Sequence, residues 1–300
     1  MKVAITGGTG FIGQGLTNAL IGRGDTVWII TRRAAAKQPA DSGPSYATWD
    51  MLERDPSILE GIDAIVNLAG ESINQRWTKS AKARIMDSRK WAAARVGRLV
   101  RSLQDGPSVV VNASGISAYG SSETLVFEED SPTAVTDYLS EVVRSWEEAA
   151  DAIPAKRLVK LRIGLVLARK GGAFPLMLLP YRLFVGGRVG SGKQGLSWIH
   201  IDDMIGLILF CLDNDDIKGP VNASAPEPVS NDEFGRAVGK TIGRPHWFPL
   251  PAGLMRVGLG EMSTLLLDGQ RALPVKSTKL GFRFRYPKLE QALTQLLVSQ

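Results

Sequence analysis

Residues 5–13 read ITGGTGFIG, and this stretch limits the fold of the 300-residue chain more than any other. Gly7, Gly10 and Gly13 stand three apart. The apolar run Val3-Ala4-Ile5 lies directly before them. Residues 11–21 lie directly after, with Ile12, Leu16, Ala19 and Leu20 on one helical side. Strand, spaced glycines and helix together make a turn suited to a dinucleotide. The first glycine permits the tight turn, the second lets backbone approach a pyrophosphate, and the third lets helix and strand pack closely. Phosphate then lies at the helix N-terminus, where free N–H groups and the dipole favour an anion.

The rest of the first half agrees with that turn. Residues 26–31, 64–70 and 108–115 are apolar strands nearly along their whole lengths, and a further strand is expected at 157–164. Such strands are buried on both faces, as in a parallel sheet covered by helices. Helices are expected at 79–103 and 137–152. The pattern predicts an α/β fold, a Rossmann-type doubly wound parallel sheet. The second half is more mixed. Helices are expected at 202–212, from the Ser230/Glu233 capping box to Ile242, and at 289–298, with a short strand at 221–224. The expected division is a Rossmann lobe, 1–170, and a smaller, partly helical lobe, 171–300, folded against it and interleaved with its sheet.

Composition excludes several classes. The single cysteine, Cys211, allows no disulfide and no thiolate cage, which fits a reducing compartment. No apolar leader follows Lys2, and apolar runs such as 204–212 are far below the roughly 20 residues a span needs. The expectation is a cytoplasmic protein with no membrane partner. The net charge of +6 is scattered and not gathered on a stripe, so nucleic acid is not expected either.

The second strand indicates which dinucleotide. An acidic residue about 20 residues beyond the loop would hold a ribose 2′-hydroxyl. Here the strand runs out through Thr31 into Arg32 and Arg33, with no Asp or Glu at its tip. Guanidinium groups suit a 2′-phosphate. The cofactor expected is NADP(H) in preference to NAD(H).

TGGTGFIG, NLAG, ASGISAYG and WIHIDD together resemble the extended short-chain dehydrogenase/reductases. LAGESI at 68–73, DSR at 87–89, GSGKQGLSWIHIDDM at 190–204 and DGQRALP at 268–274 bring the resemblance closer to an atypical branch, the YfcH-like "epimerase family proteins". The likeness covers essentially the whole chain and implies NADP(H) on a Rossmann lobe, with a substrate held by the C-terminal lobe. By position it implies that Gly7, Thr9, Gly10, Phe11, Ile12 and Gly13 cradle the pyrophosphate. Thr31, Arg32 and Arg33 would meet the adenosine end, and Trp49 and Asp50 would lie near adenine. Leu68, Ala69 and Gly70 would line the cofactor, joined by Glu71, Ser88 and Arg89. Arg162 and Ile163 would stand near the nicotinamide, with Ser114.

The same family needs a Tyr-x-x-x-Lys pair, whose lysine lowers the phenol's pKa. Here Tyr138 is followed four residues on by Val142, and no lysine occurs from 137 to 155. Arg144, six on, points to a different helical side. Ser114, Tyr119 and Tyr138 are the remaining candidates for holding a substrate oxygen. His200, close to Asp202 and Asp203, lacks a third ligand cluster, so no metal is expected; Asp202 would cap the following helix. No Gly-x-Ser-x-Gly elbow is present. The glycine-bounded stretch 171–195 reads as a substrate lid or as a connection between lobes. Its Arg182, Arg188 and Lys193 would favour an anionic substrate. Two functions stay open: an NADP(H)-dependent oxidoreductase or epimerase-like enzyme acting on a small molecule, and a non-catalytic NADPH-binding sensor. Monomer and homodimer are both open.

Overall fold

The computed structural model describes residues 1–33 and 43–298. Strand β1 (Lys2–Thr6) leads into helix α1 (Phe11–Gly22), then β2 (Thr26–Thr31), β3 (Ser45–Thr48) and α2 (Trp49–Arg54). Next come β4 (Ala64–Asn67), α3 (Lys79–Ser102), β5 (Val109–Gly115), the two-residue β6 (Val126–Phe127) and α4 (Tyr138–Asp151). The chain continues through β7 (Arg157–Ile163), β8 (Leu165–Leu167), α5 (Phe174–Arg182), β9 (Gly195–Leu196), β10 (Trp198–His200) and α6 (Ile201–Asp213). It closes with β11 (Gly219–Ala223), β12 (Val229–Ser230), α7 (Asn231–Ile242), α8 (Ala252–Leu259), α9 (Thr264–Leu267), β13 (Arg271–Ala272), α10 (Val275–Lys279) and α11 (Leu289–Leu297).

Seven strands form one sheet in the order β11-β7-β5-β4-β1-β2-β3, every pair parallel. This is the expected doubly wound sheet. Side chains alternate across a strand, so each strand feeds two cores. Val3, Ile5, Val66, Val111 and Leu161 face α1 and α6, meeting Leu16, Leu20, Met204, Leu207 and Ile208. Ala4, Ile65 and Val110 face the other way, onto Ala93, Val96 and Leu99 of α3. Burying each large aliphatic contributes about 1.5–3 kcal/mol, which explains why the central strands are mostly aliphatic, with polar residues gathered toward their C-terminal ends. Helices α1 and α6 come close at Gly15, where a Cβ would sit 2.6 Å from the Ile205 side chain.

A third apolar cluster lies outside the sheet. It joins Phe174, Leu178 and Tyr181 of α5 to Trp198 of β10, Phe234 and Val238 of α7, and Leu293 and Leu296 of α11. The expected capping box opens α7, with Ser230 and Glu233 each bonding the other's backbone, and Gly243 closes it in the left-handed region at φ 63°. β11, from the second half of the chain, completes the edge of the main sheet beside β7.

One expectation is corrected at the start of α6. The cap is His200, whose Nδ1 accepts from the Asp202 N–H at 3.1 Å, and Asp202 itself is exposed in the first turn. Its neighbour Asp203 is buried and accepts the Arg285 and Tyr286 N–H groups at 2.7 and 2.9 Å. The His-Ile-Asp-Asp segment thus ties α6 to the chain leading into α11. Among the described residues no helix is long and apolar enough to cross a membrane.

Candidate functional site

The glycine loop is shaped by contacts that only glycine allows. Gly7 takes φ +70°, and a Cβ there would lie 2.7 Å from the Leu68 carbonyl oxygen. A Cβ on Gly13 would run into the Gly7 carbonyl oxygen and stand 2.7 Å from Gly8 Cα. Gly7 therefore seats the loop on the end of β4, and Gly13 seats α1 on the loop. Gly10 is exposed; its N–H donates to Gly7 O at 2.9 Å and closes the turn. No side chain caps α1 there, and its first turn holds no acidic residue. Its leading N–H groups therefore present an uncompensated positive end, and the cradle fits a pyrophosphate. Thr9 is exposed, with its carbonyl held by Gln14 Nε2 at 2.9 Å. Ile12 is half-buried. The Phe11 ring lies under the loop before α5, where a Cβ on Gly171 would come within 2.6 Å of it.

At the tip of β2, Thr31 Oγ1 donates to Arg33 O at 2.6 Å, and the side chains of Arg32 and Arg33 are exposed. Trp49 opens α2 and is buried in the second core, with the Arg95 guanidinium 5.6 Å over its ring. Asp50 is exposed in the same turn.

A buried polar chain crosses the strand ends beneath the loop. Thr6 Oγ1 donates to Asn67 Oδ1 at 2.5 Å, Asn67 Nδ2 to Asn112 Oδ1 at 2.6 Å, and Asn112 Nδ2 to Ala113 O at 2.7 Å. It locks β1, β4 and β5 at their C-terminal ends, where open α/β sheets bind ligands. Past β4, Leu68 and Ala69 are half-buried and Gly70 is exposed. A Cβ on Gly70 would meet Arg89 Cζ at 3.2 Å. Arg89 Nη1 donates to Glu71 O at 3.0 Å, and Ser88 Oγ accepts the Glu71 N–H at 2.9 Å. Burial lowers the Arg89 pKa, and its guanidinium lies 5.0 Å from the Trp146 ring. Gly70, Glu71, Ser88 and Arg89 therefore form one unit.

Ser114, Tyr119 and Arg162 meet in a second unit around a carboxylate. Arg162 Nε and Nη2 reach Glu147 Oε1 and Oε2 at 2.8 and 2.9 Å, and Ser114 Oγ donates to the same Oε1 at 2.7 Å. Arg162 Nη1 is buried with no hydrogen-bond partner among the described residues. Arg162 Cζ also lies 4.8 Å over the ring of Tyr119, whose hydroxyl donates to Asn222 Oδ1 at 2.8 Å. Burial raises the Tyr119 pKa despite the Arg162 charge. Ile163 ends β7 opposite Gly115 and is half-buried.

Tyr138 stands apart from that network. It opens α4; its hydroxyl donates to Lys82 O at 2.7 Å, and Trp77 packs edge-on at 5.1 Å. Burial pushes its pKa up to about 12, with Arg89 opposing. Val142, in the lysine position, is buried, and Arg144 pairs outward with Glu148 at 3.8 Å. The cations beside the phenol come from α3: Arg89, and Lys82, whose Nζ lies 4.5 Å over the ring. Sequence spacing on α4 alone gives no sign of them. Glu147, Asn67, Asn112 and Asn222 were missed for the same reason, since each matters through a partner distant in the chain. Among the described residues no group of three or more His, Cys, Asp or Glu is placed to hold a metal.

The fold and loop define a dinucleotide-binding α/β protein of the doubly wound class, with a helical C-terminal portion. The profile of the NAD dependent epimerase/dehydratase family matches residues 3–163, and that of a domain of unknown function, DUF1731, matches 250–296. The chain belongs to the NAD dependent epimerase/dehydratase family. It is 42% identical to the epimerase family protein YfhF of Bacillus subtilis (strain 168), across 100% of this chain and 99% of the relative. It is 39% identical to the chloroplastic epimerase family protein SDR39U1 homolog of Arabidopsis thaliana, across 99% and 87%. The crystal structure of human epimerase family protein SDR39U1 with NADPH superposes with a TM-score of 0.90 at 36% identity, covering 99% of both chains. The nucleoside-diphosphate sugar epimerase of Corynebacterium glutamicum gives 0.77 at 30% identity, covering 99% of this chain and 58% of that one.

Proposed function

We propose that the chain binds NADP(H) across its first crossover and acts on a small molecule as an oxidoreductase or epimerase-like enzyme. The observation that carries this reading is the human relative crystallised with NADPH on the same fold at 36% identity. Here Gly7, Thr9, Gly10, Phe11, Ile12 and Gly13 would take the pyrophosphate. Thr31, Arg32 and Arg33 would take the adenosine 2′-phosphate, and Trp49 and Asp50 the adenine side. Leu68, Ala69, Gly70, Glu71, Ser88 and Arg89 would follow the cofactor across the strand ends. Ser114, Arg162 and Ile163 would stand at its far end. Residues 1–170 would form the cofactor lobe and 171–300 the substrate lobe. The lone cysteine, buried Cys211, accords with a reducing compartment such as the cytoplasm.

When bound, the cofactor supplies or accepts a hydride. The chain's own part is to hold a substrate oxygen. A phenol with a pKa near 12 stays protonated through neutral pH, so Tyr138 serves as a hydrogen-bond donor and not as a base. Ser114 has its proton on Glu147, and its remaining lone pair can accept.

One observation favours the non-catalytic alternative: Val142 is buried where the lysine would stand, and Ser114, Tyr119 and Tyr138 all donate to protein acceptors. Calorimetry with NADPH and NADH tests the cofactor, and turnover with a panel of sugar nucleotides, ketones and quinones tests the chemistry. Turnover lost in a Ser114→Ala/Tyr138→Phe variant supports the enzyme. Tight NADPH binding without turnover across the panel supports the sensor. Absence of heat with NADPH overturns both.

A further inference from the structure

The outer side of α5 and the segment 243–260 share one apolar and cationic face. Leu176, Leu179 and Leu183 stand at i, i+3 and i+7, opposite the buried Phe174, Leu178 and Tyr181. On α8, Leu254 and Val257 project away from the buried Met255, and Val257 is 86% exposed. The two parts are joined through backbone. The N–H groups of Trp247 and Phe248 both donate to Gly186 O, at 2.9 and 3.1 Å, and Trp247 Nε1 donates to Phe184 O at 2.9 Å. Phe184 is the one non-glycine residue at positive φ, 62°, among the described residues; the residue is 54% exposed, with the Arg244 guanidinium 4.3 Å over its ring. A strained backbone there holds an aromatic ring toward solvent, where a glycine would adopt the same turn without strain.

The two segments that form this face carry charge of one sign. Residues 171–201 and 243–260 contain no Asp or Glu. Arg182, Arg188 and Lys193 are exposed and make no ion pair among the described residues. Three carboxylates border it: Asp232 is engaged by Arg236 and His246, Glu261 by Lys82, and exposed Glu123 accepts from the Ser191 hydroxyl at 3.0 Å. A patch of this composition is too apolar to be ordinary surface. A two-fold contact with a second copy would set the same unpaired cations against themselves. An anionic sheet of headgroups satisfies both features at once, since aromatic and aliphatic side chains enter the interface while arginines meet phosphate.

We propose that this face docks the protein peripherally on a bilayer carrying anionic lipid, with Leu183, Phe184, Trp247 and Val257 at the headgroup level and Arg182, Arg188 and Lys193 on lipid phosphates. It extends from α5, whose leading glycines lie against Phe11 of the glycine loop. Docking on this face sets the loop's flank toward the membrane. The inference rests on the surface alone and not on the identity of the cofactor.

The test is flotation of the full chain with vesicles of phosphatidylcholine, with and without phosphatidylglycerol. The expected result is binding to the anionic vesicles only, reversed by high salt. Val257→Asp and Leu254→Asp should abolish it with unchanged thermal melting, because both side chains are exposed. Arg182→Gln and Arg188→Gln should each weaken partitioning by roughly five-fold. Three outcomes overturn the proposal. One is no flotation with either vesicle. Another is equal flotation with neutral vesicles. The third is a concentration-dependent dimer that Val257→Asp dissociates, which would assign the face to a second copy.

Discussion

Glu147 of α4 receives Arg162 of β7 through two nitrogens, Nε to Oε1 at 2.8 Å and Nη2 to Oε2 at 2.9 Å, with both residues buried. The pair joins a helix to the sheet at the level of Ser114. Removing one partner leaves the other charge buried, and Arg162 already has one nitrogen without a partner. Glu147→Ala should therefore destabilise by on the order of 3–5 kcal/mol, read in denaturant or thermal melts. Glu147→Gln should cost less, because the amide still accepts.

The same pair sets an acid limit. Burial alone would raise the Glu147 pKa, but the Arg162 bonds and charge, with Ser114 and Lys160, hold it below its ordinary value. A folded pKa below the unfolded one contributes stability that is full above the unfolded value, about 4.3, and is lost as pH falls through the folded value. The melting temperature of the native protein should decline on acidification through that range. Glu147→Gln should show a smaller decline over the same range. An identical pH slope in the two proteins would remove Glu147 as the titrating group.

Much of this architecture is legible in the sequence, for identifiable reasons. Val3, Ile5, Val66 and Val111 announce a sheet buried on both faces, because desolvation excludes polar residues there. Gly7 and Gly13 announce the loop, since their neighbours leave no room for a Cβ. Ser230 and Glu233 announce α7 by a local rule. What stays hidden depends on partners far apart in the chain. Tyr138 meets Lys82 across 56 residues, and Thr6 meets Asn67 across 61. No periodicity encodes such meetings. The parallel pair of β8 and β10 is three residues long, too short for a pattern to register.

Gly13→Ala separates packing from propensity. Its Cβ would collide with the Gly7 carbonyl and lie 2.9 Å from Gly8 C, both backbone atoms that cannot swing away. The helix must shift, at about 1–3 kcal/mol, and the displaced N-terminus should weaken NADPH binding in calorimetry. Gly22→Ala, in the same helix with nothing within 4 Å, is the control. It should leave cofactor affinity intact and stabilise by up to about 1 kcal/mol. An equal gain in stability from both, with cofactor affinity intact, would show that helix propensity, not contact with the loop, decides the outcome.

Arg32→Ala/Arg33→Ala tests the choice of dinucleotide. Both side chains are exposed at the tip of β2, so the fold should be unaffected. A hydrogen bond to a charged group contributes about 1.5–3 kcal/mol, so NADPH affinity should fall by roughly ten- to a hundred-fold per bond lost. NADH affinity should change little, and the preference for NADPH should also shrink with added salt in the native protein. Equal weakening of both cofactors would place the arginines on the shared pyrophosphate instead of the 2′-phosphate.

Tyr138 makes the last prediction, on proton chemistry. Its hydroxyl donates to Lys82 O at 2.7 Å, and burial pushes its pKa to about 12. A folded pKa raised above the unfolded value, about 10, contributes stability that is full below 10 and is lost as pH rises toward the folded value. Spectroscopic titration of native protein minus Tyr138→Phe should show tyrosinate only near pH 12. Any turnover the protein sustains should be flat between about pH 7 and 9, because no phenolate forms there. Tyr138→Phe should retain cofactor affinity while losing the bond that joins α4 to α3. A rate that climbs with a pKa in the neutral range and disappears in Tyr138→Phe would mean that substrate draws the hydroxyl off the Lys82 carbonyl and under the charge of Arg89, making it a base after all.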